Sequence, residues 1–353
     1  MKKRTLFILI ALAAFSLALA MPAPAKPRLM LLATGGTIAG AQASVKDVGY
    51  KAGTFRVEDL ISAVPQLKDL ADLAGEQVVN IPSQDMNNDV WLKLAQRVNA
   101  VLARADIDGV IITHGTDTLE ETAYFLSLVV KSDKPVVMVG SMRPATAISA
   151  EGPANLYNAV AVAGHAGARG RGVLVVLNDE IHFAREVVKQ NSTQLDTFKS
   201  PNRGRAGVVN TGAVHFFDTP TFVHTAASEF SVEGVTTLPC VEIVYAHANL
   251  GRDFIDCAVA KGAQGLVLAG VGDGNCTEPA LAAFRDAITH GVVVVRSSRT
   301  GSGLVVRNVE INDDAMGTVA AMELNPQKAR VLLMLALMKT SRAKDIQEKF
   351  CRY

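Results

Sequence analysis

Short apolar runs alternate with longer amphipathic stretches along most of the chain. The runs at 29–33, 78–81, 109–113, 135–140 and 173–177 are rich in Val, Ile and Leu, the pattern of strands buried on both faces. Between them, 57–63, 88–104, 119–131 and 152–166 read as helices. Leu92, Ala95, Val98 and Leu102 recur at helical spacing and predict a face packed on a sheet. This rhythm predicts βαβ units around a parallel sheet. It breaks at 216–239, a stretch rich in Thr, Ser and Pro without a strong period, which reads as a connection. Strands at 241–245, 265–269 and 292–296 and helices at 253–261, 279–290 and 326–338 then resume the alternation. The expectation is an α/β protein of two domains: a larger one over 26–215, a linker over 216–239 and a smaller one over 240–353.

The first 25 residues follow a different rule. Lys2, Lys3 and Arg4 precede an uncharged apolar run from Leu6 to Ala20, and small residues follow at Ala18-Leu19-Ala20 and Ala23-Pro24-Ala25. That is the layout of a secretory signal peptide. The run is short for a membrane-spanning helix. Residues 1–25 are therefore expected to be removed, leaving a periplasmic or secreted protein. Removal shifts the balance from 35 basic against 34 acidic residues to 32 against 34. A mature chain near neutrality, with scattered Lys and Arg, gives no electrostatic case for nucleic acid or an anionic membrane. With 49% hydrophobic and 20% charged residues the chain is neither disordered nor fibrous. Cys240, Cys257, Cys276 and Cys351 show no zinc-knuckle or CxxC spacing. An oxidising compartment would allow some of them to pair, and isolated thiols suit the sequence equally.

In an open parallel sheet, ligands bind beyond the carboxyl ends of the strands, so the residues after each run carry the functional information. Thr34-Gly35-Gly36-Thr37 follows the first run, Pro82-Ser83-Gln84-Asp85 the second and His114-Gly115-Thr116-Asp117-Thr118 the third. Asn178, Asp179 and, further on, Lys189 follow the fifth. Taken singly these have ordinary readings: Gly35-Gly36 as a phosphate loop, Thr116 and Asp117 as helix N-caps, Lys189 as a solvated lysine and Tyr50 as a core residue. The glycine turn lacks a Gly-Lys-Ser/Thr ending and a GxGxxG pattern. Together the residues make chemical sense. A threonine hydroxyl needs a base or a charge to act as a nucleophile, Thr37 sits on a turn open to close approach, and Thr116 with Lys189 offers a hydroxyl–amine pair for proton movement. Ser83, Gln84 and Asp117 suit the charged ends of an amino acid. HExxH, Cys/His clusters and a calcium loop do not occur, so neither metal nor cofactor is expected.

Leu32 to Ala39 resembles the first signature of the bacterial asparaginase and glutaminase–asparaginase family, and Ile111 to Thr118 resembles the second. The likeness extends through Gly75 to Ile81, Ser83 to Asn87, Gly140 to Pro144, Asn155 to Val160 and Leu324 to Pro326, covering essentially the whole mature chain. The leader makes it similar to the exported, type II branch. The resemblance implies a flavodoxin-like larger domain and hydrolysis of L-asparagine, with L-glutamine open as a comparable substrate. It implies Thr37 as primary nucleophile, with Tyr50 on a mobile lid as its partner and Glu310 behind. It implies Thr116, Lys189 and Asp117 as a second set, Asp117 binding the substrate amino group, and Ser83 and Gln84 binding its carboxylate. Asn275 and Glu310 are implied to reach the site from a neighbouring subunit in a homotetramer built of close dimers. Pro82 stands where a glycine is common, Ser141 where an alanine is, and Asp273 where Asn is frequent. Asn275 leans toward the asparagine-preferring members and Glu180-Ile181-His182 toward the glutaminase–asparaginases. An exported amino-acid-binding protein without turnover would share the domains and the charged-end groups, but would not need Thr37, Tyr50, Thr116 and Lys189 together.

Overall fold

The computed structural model describes residues 25–43, 49 and 51–353. Residues 1–24 of the expected signal peptide, and Tyr50, lie outside them. From β1 (Arg28–Gly35) the chain runs through helices α1 (Val57–Ser62) and α2 (Leu67–Leu70) to β2 (Asp72–Ile81). Helix α3 (Asn88–Leu102), β3 (Gly109–Thr113), α4 (Leu119–Val129), β4 (Val136–Val139), α5 (Gly152–Gly164) and β5 (Val173–Leu177) complete the alternation. The segments β6 (Glu180–Phe183), β9 (Gly207–Asn210) and β10 (Ala213–Phe216) extend the sheet, while β7 (Val188–Lys189) and β8 (Phe198–Lys199) form a separate two-stranded ladder.

The eight strands lie in the order β10-β9-β6-β5-β4-β3-β1-β2. Strands β2, β1, β3, β4 and β5 are mutually parallel, and β6, β9 and β10 pair antiparallel. The parallel part thus has the doubly wound 2-1-3-4-5 order. Alternation along each strand explains the unbroken apolar runs. Leu29, Leu31 and Ala33 face a core shared with α5, whereas Met30 and Leu32 face one shared with α3 and α4.

Four parallel strands, β11 (Val241–Tyr245), β12 (Gly265–Gly270), β13 (Val293–Ser298) and β14 (Val319–Ala320), form the smaller sheet in chain order. Its helices are α6 (Asp253–Ala260), α7 (Glu278–Thr289), α8 (Asp313–Met316), α9 (Pro326–Leu337) and α10 (Ala343–Arg352). Helix α9 packs on β11, β12 and β13 and also on α4 of the larger sheet, so one apolar cluster runs from sheet to sheet. Residues 217–240 contain a single 3-10 turn, Thr225–Ala227, yet bury Phe230 against Tyr353 with ring centroids 5.0 Å apart.

Besides several elements of two to four residues, the structure differs from the expected elements in three places. Strand β2 starts at Asp72, six residues before the predicted run, because its first half is half-exposed at the sheet edge and carries polar residues. The antiparallel β6, β9 and β10 are four residues long each, too short for their alternation to stand out. Helix α10 buries only Ile346, Gln347 and Phe350, a narrow stripe in a polar sequence.

Candidate active site

The strand order reverses between β1 and β3, which have β2 and β4 on their outer sides. Loops leaving the carboxyl ends of β1 and β3 part at such a point and open a crevice. Here the two loops are held in contact. The Thr34 hydroxyl donates to the Thr113 carbonyl at 2.8 Å. Gly35 and Gly36 follow with φ of 102° and 82°, the left-handed region that glycine enters without strain. A 3-10 turn, Thr37–Ala39, begins at once and leaves Thr37 buried, 6% exposed.

Gly36 abuts Gly115 so closely that a Cβ on Gly36 would lie 2.3 Å from the Gly115 nitrogen. A Cβ on Gly115 would in turn meet the Ser83 hydroxyl at 2.6 Å. The Thr37 loop and the Thr116 loop therefore meet backbone to backbone, with Thr37 and Thr116 each one residue from the contact, and the Ser83 side chain packs against Gly115. Gly36→Ala should cost about 2–3 kcal/mol in urea denaturation, from left-handed strain and overpacking against rigid backbone. Gly170→Ala is the control, since Gly170 has φ 72° but nothing within 4 Å of an added Cβ; it should cost only about 1 kcal/mol.

Beyond β3, Thr116 is buried at 5% exposure. Thr118, not Thr116 or Asp117, occupies the N-cap of α4. The Thr116 and Asp117 side chains turn instead to Lys189, whose Nζ donates to Thr116 Oγ1 at 2.9 Å and to Asp117 Oδ1 at 2.7 Å. The Lys189 side chain is 15% exposed, so it is not a solvated surface lysine, while that of Asp117 is 57% exposed at the crevice mouth. Ser83 lies in the 3-10 turn Ser83–Asp85. Its hydroxyl accepts from the Asp117 N–H at 3.1 Å and its carbonyl from the Thr118 hydroxyl at 2.7 Å. Gln84, next in the chain, is exposed.

Beneath this cluster His114 is fully buried. Its Nδ1 lies 2.7 Å from the Gly115 carbonyl, which can only accept, so that nitrogen carries the proton. Burial pushes the imidazolium pKa down to about 4 and keeps the ring neutral. His114 is thus a neutral brace for the Gly115 turn and not an acid in this site.

The structure brings Thr37, Ser83, Thr116, Asp117 and Lys189 to one crevice. Tyr50 lies outside the described residues. Asn275 sits in the turn after β12, bridged to Val271, and Glu310 is exposed on the loop before α8. Among the described residues neither hydrogen-bonds Thr116, Asp117 or Lys189 within the chain. One participant escaped the sequence reading: Glu120, 3% exposed on α4, accepts from the Lys189 backbone N–H at 2.6 Å. Glu120 and Glu121 stand together in the first turn of the helix pattern 119–131, where acidic residues are ordinary, so no sequence signal set Glu120 apart. Among the described residues no group of three or more His, Cys, Asp or Glu is placed to hold a metal ion, and no helix is long and apolar enough to cross a membrane.

Comparison with known proteins matches residues 28–222 to the family described as asparaginase, N-terminal, and 240–350 to the glutaminase/asparaginase C-terminal domain. L-asparaginase 2 of Bacillus subtilis is 52% identical over 93% of this chain and 87% of its own length. A glutaminase-asparaginase of Pseudomonas fluorescens is 46% identical over 92% of this chain and 90% of its own. The crystal structure of a probable cytoplasmic L-asparaginase from Campylobacter jejuni superposes with a TM-score of 0.91 at 48% identity, covering 93% of this chain and all of that one.

Proposed function

The chain belongs to the asparaginase family and hydrolyses L-asparagine to L-aspartate and ammonia, and we propose that it does so through an acyl-enzyme on Thr37. The observation that carries this reading is the pair of bonds from Lys189 Nζ to Thr116 and Asp117, in a crevice where the Thr37 loop touches the Thr116 loop.

In the first half-reaction Thr37 Oγ1 bonds to the side-chain amide carbon, and the carbonyl electrons move onto oxygen. Backbone N–H groups of the two abutting loops stabilise that oxyanion. The C–N bond then breaks, and the nitrogen leaves as ammonia with the proton that Thr37 gave up. Tyr50 relays that proton, with Glu310 behind it. In the second half-reaction water adds to the ester carbon, Thr116 and Lys189 move its proton, and the C–Oγ1 bond breaks to release aspartate and restore Thr37.

Substrate binding follows from charge. Asp117 spends one carboxylate oxygen on Lys189 and presents its exposed side to the substrate ammonium. Ser83 and Gln84 take the α-carboxylate. Asn275 and Glu310 act from a neighbouring copy of the chain, in a homotetramer built of close dimers, with Asn275 lining the substrate side. Residues 1–25 direct export to the periplasm or beyond.

Glutamine is the competing substrate, favoured by the similarity to a glutaminase-asparaginase. One extra methylene in a closed pocket is worth about 1–3 kcal/mol, or roughly 10–200-fold. Ammonia release from the two amides at matched low concentrations should therefore give a kcat/KM for asparagine at least about tenfold above that for glutamine. Comparable values would place the chain with the glutaminase–asparaginases. Binding of asparagine without any release would overturn the catalytic reading in favour of a binding protein.

A further inference from the structure

The strand that carries Lys189 is only two residues long and pairs with an equally short partner. Regular sheet hydrogen bonds therefore do little to fix the lysine. Other groups hold it. Lys328, on the first turn of α9 and 1% exposed, donates from Nζ to the carbonyls of Arg185 (2.8 Å) and Val187. Those carbonyls stand four and two residues before Lys189. Glu120 grips the same segment from the other side. Its Oε2 accepts from the Lys189 N–H, while its Oε1 accepts from Asn325 Nδ2 at 3.0 Å and from Gln327 Nε2. Asn325 is the N-cap of α9, its Oδ1 accepting from the Lys328 N–H at 3.1 Å.

We propose that Lys328 and Glu120 are positioning residues, through which the first turn of α9 in the smaller domain sets the reach of Lys189 toward Thr116 and Asp117. The smaller domain thereby shapes the active site of its own chain. Beside its own turn to Phe183, the segment 185–189 is held at two carbonyls and one N–H by groups on α9 or by the carboxylate that α9 holds. Among the described residues neither Lys328 nor Glu120 hydrogen-bonds Thr116 or Asp117, whereas both hold the segment that carries Lys189. The Glu120 carboxylate suits this task because it accepts from all three donors. A glutamine in its place would turn an NH2 group toward at least one of them. Lys328 needs its charge less than its donors. Burial lowers its pKa to about 8, against the opposing pull of Glu120 and Glu186.

This inference rests on Lys189 serving as the proton-moving group proposed above. The test uses the full mature chain and asparagine, with kcat, KM and thermal unfolding measured for Lys328→Met, Glu120→Gln, Lys189→Met and each of the first two combined with Lys189→Met. A displacement near 1 Å at a catalytic group lowers turnover by as much as about a hundredfold. Lys328→Met and Glu120→Gln should each lower kcat about tenfold to a hundredfold with KM within about threefold. Either substitution should add no further loss once Lys189 is already Met, because positioning has nothing left to act on. Equal losses in both backgrounds, or kcat within about twofold of wild type despite a lowered melting point, would show a structural role and overturn the proposal. If Lys328→Met does not fold, Glu120→Gln decides alone by the same two criteria. Should Lys189→Met itself keep wild-type turnover, the reading of Lys189 fails first, and it does so independently of the other variants.

Discussion

Thr37→Ala should abolish turnover of asparagine, lowering kcat by about three orders of magnitude or more, while asparagine still binds. Removing a covalent nucleophile takes away an interaction realised in the transition state, so the loss falls on kcat and leaves KM within a few-fold. A thousandfold corresponds to about 4 kcal/mol of barrier. Stability should hold within about 1 kcal/mol, because the substitution removes one hydroxyl and creates no large cavity. The loop itself is shaped by Gly35, packed against Ile81, and by Gly36, packed against Gly115, and the variant retains both contacts. The measurement is steady-state ammonia release together with asparagine binding by calorimetry.

The same experiment decides between the two threonines. Thr116 is the one whose hydroxyl accepts from the Lys189 ammonium, at 2.9 Å. That bond fits Thr116 to the proton-moving role proposed for it with Lys189 in the hydrolytic half-reaction. Thr116→Ala should therefore impair the hydrolytic half-reaction and leave acylation able to proceed. Near-normal turnover in Thr37→Ala, with loss in Thr116→Ala, would exchange the two roles.

How much of this was legible beforehand differs from residue to residue. The parallel core could be read because both of its faces are covered, which makes each strand an unbroken apolar run. Thr37, Thr116 and Asp117 could be read because they follow such runs directly, and the end of a strand fixes where its next residues go. Lys189 could not be read that way. It follows no long strand, and its place depends on an ordered segment after β6 that has no periodicity of its own. Resemblance marked it, and the ion pair with Asp117 shows why a lysine is held there. Glu120 and Lys328 were invisible for a different reason. Each is a charge within a helix whose partners are far away in sequence, 205 residues for the bond from Asn325 to Glu120. Propensity and spacing carry no information about such pairs.

A second long-range pair predicts the largest stability effect in the smaller domain. Arg296 and Asp313 are 1% and 0% exposed and face each other in a bidentate ion pair, Nε to Oδ1 at 2.7 Å and Nη2 to Oδ2 at 2.8 Å. Arg296 also donates to the carbonyls of Asp273 and Val306, at 3.0 and 3.3 Å. Asp273 Oδ1 accepts from the Val306 N–H at 2.7 Å, and Asp313 accepts from the Asn308 N–H at 2.9 Å and the Thr318 hydroxyl at 2.6 Å. The pair thus ties together the two loops that carry Asn275 and Glu310. Aspartate at 273 keeps the acceptor this clamp needs, as asparagine would.

Asp313→Ala leaves a guanidinium buried without its counter-charge, a change worth about 3–5 kcal/mol in comparable interiors. Urea denaturation at fixed chain concentration should show a loss of that size, the concentration being held because assembly contributes to apparent stability. Arg296→Met combined with Asp313→Leu should be less destabilised than either single variant, since no unpaired charge remains. Acidity gives an independent check. Burial alone would raise the Asp313 carboxyl pKa, but Arg296, the Asn308 N–H and the Thr318 hydroxyl together hold it below the usual aspartate value. A carboxylate with a depressed folded pKa contributes stability above its unfolded pKa, about 4, and loses it as the pH falls further. The difference between wild type and Asp313→Ala should therefore be full at neutral pH and narrow below about pH 4. A gap that stayed constant down to pH 3 would mean that packing, and not the ion pair, holds the two loops together.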